Sequence, residues 1–161
     1  HREIISVASS GSGTVTNTEI DANGGRITVN ETHDFIDIRT TSPSAPYPKN
    51  SWTLIKGKSF QNLTVGSGSY GLTGEDLPGV VAVRVYPGGD SVAVKYRVEF
   101  RNMRNQGGKI TKIDLKSSGR SAAAGDAEIT ISNKGRQTDT LQISGSERLP
   151  RTRTVIEVDL R

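Results

Sequence analysis

The sequence contains no cysteine, which excludes disulfide-stapled scaffolds and cysteine-ligated metal sites. It has two histidines, one of them the first residue, so few residues are available to ligate zinc or to form a histidine-based catalytic triad. Hydrophobic residues make up only 32 % of the chain, and no run of about 20 apolar residues offers a membrane-spanning helix. The 161 residues are still enough for one domain with a sizeable core.

Apolar and polar residues alternate along most of the chain, which is typical of strands with one face in the core and one in water. In the clearest segment, residues 92–101, one face carries Val92, Val94, Tyr96, Val98 and Phe100. Glycine-rich segments between such runs predict tight turns: Asn23-Gly24-Gly25, Pro87-Gly88-Gly89-Asp90, Asn133-Lys134-Gly135 and Ser144-Gly145-Ser146. We therefore predict an all-β protein, an antiparallel β-sandwich of jelly-roll or immunoglobulin-like type with about nine or ten strands and very little helix.

The N-terminal segment differs from the rest of the chain. Residues 2–8 are rich in β-branched apolar side chains, and Ser9-Ser10-Gly11-Ser12-Gly13 after them is typical of a flexible hinge. We predict a strand and hinge over residues 1–13 and a single β-sandwich domain over residues 14–161. The strand either pairs within its own sheet or adds to the sheet of a neighbouring copy, where Ile4, Ile5 and Val7 would form the assembly strand.

Charge is distributed unevenly, since residues 1–50 carry an acidic excess and residues 101–161 a basic one. Such an asymmetry favours head-to-tail contacts between copies. No Gly-x-Ser-x-Gly motif or other nucleophile signature is present, so we do not expect an enzyme. The first hypothesis is a non-enzymatic structural subunit that self-assembles into an extracellular filament or viral particle. An extracellular, cell-surface or virion location agrees with the lack of thiols.

Two other binding functions stay open. A carbohydrate-binding module would stack sugar rings on an aromatic platform made of Trp52, Tyr47, Tyr70 and Tyr86. A nucleic-acid-binding coat protein would use a basic stripe made of Lys95, Arg97, Arg101 and Arg104. We expect that stripe to lie on a solvated strand face. Because Tyr96 and Phe100 point to the opposite face, no aromatic ring alternates with these charges along the strand, so nucleic acid is the less favoured partner.

The remaining polar clusters are weak candidates for sites. On a strand, His33 would share a face with Glu31 and Asp37, and a histidine beside carboxylates is typical of general bases and metal sites. We expect no cofactor, and the alternative is a structural calcium ion. Its candidate ligands are Asp21-Ala22-Asn23-Gly24-Gly25 and the pair Asp34 and Asp37.

Overall fold

A computed structural model describes residues 2–56, 80–104, 109–117, 122–144 and 146–160. These residues contain one helix and nine strands: α1 (Arg2–Ser9), β1 (Val15–Asn30), β2 (Phe35–Ser42), β3 (Trp52–Lys56), β4 (Val80–Pro87), β5 (Val92–Glu99), β6 (Met103–Arg104), β7 (Ile110–Lys116), β8 (Ala122–Ser144) and β9 (Glu147–Leu160). The prediction of an all-β sandwich with about nine or ten strands is confirmed.

The strands form one hydrogen-bonded ladder in the order β3-β4-β5-β2-β1-β8-β9-β7-β6. Neighbouring strands are antiparallel at every step except β7 and β9, which run parallel. Parallel neighbours need a long connection. Here β8 supplies it, because it leads from β7 to the hairpin that begins β9. The sandwich is therefore mixed, not purely antiparallel.

The ladder folds over so that its two halves share one core. Ile36 of β2 and Val98 of β5 lie in the same buried cluster as Ile113 of β7 and Ile156 of β9. A second cluster beside the β4–β5 hairpin contains Val83, Val85, Val92 and Val94, with Tyr47 packed against it. Because alternate side chains of a strand point to opposite faces, Lys95 and Arg97 lie on the outer face of this half.

Residues 2–9 form a helix, so the prediction of a strand at Ile4, Ile5 and Val7 is wrong. Ile4, Val7 and Ala8 fall on one stripe of α1, and all three are buried in the chain's own core. The Asn133 side-chain amide donates a hydrogen bond to the Val7 carbonyl at 3.1 Å, which satisfies a backbone group at the C-terminal end of the helix. These side chains are occupied within the chain and do not form a donor strand.

Two of the predicted turns lie inside long strands. The pairing of β8 with β9 shifts register between Asn133 and Gly135, and Gly135 has a φ of +111°. Glycine at positive φ is typical of a β-bulge, which bends a strand without ending it. Asn23-Gly24-Gly25 lies within β1, where the register with β8 shifts between Asp21 and Arg26. The predicted turn at Pro87-Gly88-Gly89-Asp90 is confirmed as the link between β4 and β5.

Candidate anion-binding site

A row of basic side chains crosses the outer face of the sheet. The register places Arg26 of β1 opposite Arg39 of β2, Arg39 opposite Lys95 of β5, and Lys95 opposite Arg84 of β4. Trp52 of β3 lies opposite Arg84 and ends the row. With strands about 4.8 Å apart, the four cations span about 14 Å. We call Arg26, Arg39, Lys95 and Arg84 the cation row.

The cation row has little compensating charge. Among the described residues, no carboxylate forms an ion pair with Arg26, Arg39 or Arg84, and Lys95 reaches only Asp37, at 3.9 Å. Like charges directly opposite each other in a sheet are destabilising. Arg26 and Arg39 are exposed and Lys95 and Arg84 half-buried, so the positive charge is accessible at the surface.

Tyr86 lies among the cations of this row. Its ring centroid is 5.6 Å from the Arg39 guanidinium, 5.2 Å from that of Arg84 and 5.6 Å from Lys95 Nζ. Trp52 is 5.9 Å from Arg84 by the same measure. The aromatic rings that β5 lacks on its basic face are therefore supplied by the neighbouring strands β3 and β4.

The next row of the same face contains a buried ion pair. Asp37 accepts hydrogen bonds from Arg97 Nε at 2.7 Å and from Arg97 Nη2 at 2.9 Å. The Arg97 guanidinium also lies 3.9 Å from the Phe35 ring centroid and 4.9 Å from that of Trp52. Arg97 is only 2 % exposed, so it does not present its charge to solvent.

The prediction that the basic stripe lies on a solvated strand face is therefore wrong for Arg97 and Arg101. Arg101 is 1 % exposed, and its Nε donates to Glu99 Oε1 at 3.1 Å. Burial raises the pKa of Glu99, although the Arg101 guanidinium opposes that rise. The Arg104 side chain lies outside the described residues. Of the three predicted residues whose side chains are described, only Lys95 belongs to the open positive surface.

A shallow pocket opens beside the cation row, with a volume of about 190 Å³. Its lining consists of Arg26, Thr28, Asp37, Arg39 and Lys95. Three of these side chains are cationic and a fourth carries a hydroxyl donor, which suits an oxyanion such as phosphate, and the fifth, the Asp37 carboxylate, is paired with Arg97.

The structure does not bring the three described rings of the predicted aromatic platform onto one face. Trp52 and Tyr86 lie on the outer face beside Arg84, whereas Tyr47 packs against the valine cluster on the opposite face. Tyr70 lies outside the described residues. Of the three rings that are described, two share a face, and both lie beside cations.

The other predicted clusters are also used differently. Residues 31–34 form a turn and β2 begins at Phe35, so His33 is not on a strand with Glu31 and Asp37. Glu31 instead accepts a hydrogen bond from the Ser117 backbone amide at 3.1 Å. Asp34 and Asp37 bind different cations, Lys112 and Arg97, so they do not form a calcium site. The side chains of residues 21–24 lie outside the described part.

A second group of charged side chains is fully paired; it comprises Asp34, Lys112, Asp114, Arg153, Asp139 and Arg151, and we call it the paired network. Lys112 Nζ lies 2.8 Å from Asp34, Arg153 Nη1 3.0 Å from Asp114 and Arg151 Nη2 2.6 Å from Asp139. Asp34 also accepts the Leu115 amide at 2.9 Å. Burial raises the pKa of Asp34, whereas the Arg151 hydrogen bond lowers that of Asp139.

The sequence reasoning missed Arg26, Arg39 and Arg84. Part of the signal was available, because Arg84 and Tyr86 alternate with Val83 and Val85 on a predicted strand. The turn at residues 87–90 joins that strand to β5 and brings Arg84 beside Lys95. The other two arginines come from strands that are not joined to β5 by a turn, and only the fold shows that they are neighbours.

Comparison with known proteins gives no further assignment: no family model, curated protein or solved structure matches this chain. The single helix within the described ranges has eight residues and cannot cross a membrane. Across the same ranges, no group of three or more His, Asp or Glu side chains is placed to hold a metal ion.

Proposed function

We propose that this protein binds single-stranded nucleic acid on the cation row. The observation that carries the proposal is the placement of four cations on four adjacent strands in one register row, with Tyr86 and Trp52 beside them. Phosphate groups would lie along the row, and unpaired bases would stack on the two rings and on the arginine guanidinium planes.

The charge of the row supports a polyanionic ligand. Holding like charges side by side lowers the stability of the free protein. Binding an anionic backbone relieves that repulsion and releases condensed counterions from the nucleic acid. A surface of this kind therefore gains free energy from a polyanion and has nothing comparable to gain from a neutral sugar.

The shape and the ring contacts favour a single strand over a duplex. The candidate face is a sheet surface, and base edges in a duplex are read by an element that enters a groove. On a single strand the base faces are free to stack on aromatic side chains, at about 1–3 kcal/mol per base. Stacking tolerates any base, so we expect little sequence preference.

The test measures binding of a fluorescently labelled single-stranded oligonucleotide by anisotropy across a range of salt concentrations. Single-strand binding falls with salt with a slope of about −0.7 for each neutralised phosphate. We expect tight binding at low salt, and we expect Arg26→Ala/Arg39→Ala/Lys95→Ala to reduce the magnitude of the slope by about 2. The matched control is Lys134→Ala/Arg136→Ala/Arg148→Ala, which removes the same charge from exposed positions on β8 and β9.

Three results would overturn the proposal. The first is no binding at low salt, and the second is an equal loss of binding in both triple variants. The third is preferred binding of a sulfated polysaccharide such as heparin, because that ligand offers charge without bases. Self-assembly into a filament or particle stays a separate prediction, now without an exchanged N-terminal strand.

A further inference from the structure

A cavity of about 130 Å³ lies at one end of the core, between the two halves of the folded sheet. Its walls come from both halves and from α1: Glu3, Ile4, Thr18, Ile20, Ile36, Ile38, Val98, Ile129, Ile131 and Val158. Only Glu3 and Thr18 among these residues carry a polar side chain. A buried water needs two to four polar partners, so this cavity is poorly suited to water.

The chemistry of the lining keeps the cavity open. All eight apolar residues around it are isoleucine or valine. Side chains branched at Cβ are stiff at χ1, and they cannot swing into a gap as leucine or methionine can. The lining residues Val98, Ile129, Ile131 and Val158 are also less than a tenth exposed, so their backbones are held by the surrounding sheet.

The cavity is accessible at one side. Glu3 is exposed, and Thr18, Ile20 and Ile38 are half-buried, so these four residues form the rim. A small molecule can therefore reach the buried valine and isoleucine side chains without separation of the two layers. The rim lies beside α1, on the face of β2 and β5 opposite the cation row.

We propose that this cavity binds a small uncharged apolar molecule, of the size of a single aromatic ring or a short alkyl group. An apolar cavity of about 150 Å³ lined by Leu, Ile and Phe stays dry and binds benzene, so the volume and the apolar lining here suit the same ligand class. The inference is independent of nucleic-acid binding, because it uses different residues and a different face.

The test uses benzene as the probe with the full chain. Benzene should raise the unfolding midpoint progressively with its concentration, and its binding should shift the methyl resonances of the lining residues alone, in a saturable way. Ile38→Phe fills the rim and should weaken benzene binding at least about tenfold, which corresponds to about 1.4 kcal/mol. Ile55→Phe makes the same replacement at a position that is 44 % exposed and outside the lining, and it should leave binding unchanged.

Val98→Phe provides a second cavity-filling variant, so the test does not depend on one substitution. The inference is wrong if benzene gives no saturable change in the wild type. It is also wrong if benzene binds both filled variants with the wild-type affinity, because the ligand then lies elsewhere.

Discussion

The cation row and the paired network are both built from charged side chains on neighbouring strands, yet they are arranged in opposite ways. In the paired network, every cation has a carboxylate within 4 Å, as Lys112, Arg151 and Arg153 show. In the cation row, Arg39 lies opposite Lys95 and Lys95 opposite Arg84. Within the described part of the chain, the one carboxylate near the row is Asp37, which lies 3.9 Å from Lys95 but is bound by Arg97. In this chain the charge that serves the fold is compensated, whereas the weakly compensated charge of the cation row is the basis of the binding proposal.

The largest effect on stability should come from removing the Asp37 carboxylate, which pairs with buried Arg97 and lies 3.9 Å from Lys95 of the cation row. Asp37→Ala leaves the Arg97 guanidinium buried without its partner, and breaking a buried pair in this way costs about 3–5 kcal/mol. The double variant Asp37→Ala/Arg97→Met removes both charges and should recover much of that loss. Urea unfolding measures both free energies. A cost below about 1 kcal/mol for the single variant would show that the pair is effectively solvated.

Within the paired network, Arg151→Ala should destabilise the fold by about 1–2 kcal/mol. The reason is that Arg151 donates to both Asp139 oxygens, at 2.9 and 2.6 Å, and to Asn102 at 2.9 Å. The same unfolding assay checks this value. Unchanged stability would contradict the view that compensated charges hold this region together.

The pH dependence of the unfolding free energy should report the raised pKa of Asp34. Its pKa lies above the ordinary value of 3.8, so the folded state binds a proton more readily than the unfolded chain. The contribution of Asp34 to stability therefore falls as pH rises through the folded pKa, and it recovers on acidification. The pKa of Asp139 lies below 3.8, so its contribution is lost only under more acidic conditions.

Asp34→Asn should remove the gain that Asp34 contributes on mild acidification. Asn tolerates the φ of 56° at this position and can still accept hydrogen bonds from the Leu115 amide and from Lys112. Lys112 also keeps the Asp114 carboxylate at 3.5 Å, so we expect a cost within about 1 kcal/mol at neutral pH. The measurement is the difference in unfolding free energy between wild type and variant across pH. The pKa of Glu99 is also raised, but Glu99 is present in both proteins, so its contribution to the pH dependence cancels in this difference. A difference that does not vary with pH would contradict the assignment.

The smallest expected effect is a slight gain in stability, or none, when one charge is removed from the cation row. Arg39→Ala removes one of the adjacent like charges, so it should leave stability unchanged or raise it by a few tenths of a kcal/mol. Its exposed side chain contributes no ion pair within the described part of the chain. A loss of more than about 1 kcal/mol would show that Arg39 has a structural role.

The strands were predictable because alternation is a local property of the sequence. The segment containing Val92 to Phe100 was assigned correctly from that pattern, and the turn before it fixed the β4–β5 register. The N-terminal segment was assigned incorrectly because seven residues with Ile4, Val7 and Ala8 satisfy a helical stripe as well as a strand. A short apolar segment does not distinguish the two periods.

The candidate site was predictable only in part. Lys95, Trp52 and Tyr86 were recognised as candidates, but they were assigned to different functions. Arg39 reaches Lys95 through the pairing of β2 with β5, and Arg26 reaches Arg39 through the pairing of β1 with β2. The first of these pairings joins residues far apart in the sequence, so alternation within one strand could not reveal the row.

The most direct test of the cation row uses the chain's single tryptophan, because Trp52 lies at the end of that row opposite Arg84. Its emission is recorded while an unlabelled single-stranded oligonucleotide is added at low salt. We predict saturable quenching with the same dissociation constant that anisotropy gives, and loss of the quenching in Arg26→Ala/Arg39→Ala/Lys95→Ala. An oligonucleotide that binds by anisotropy while Trp52 emission stays constant would place the nucleic acid on another surface and contradict the account.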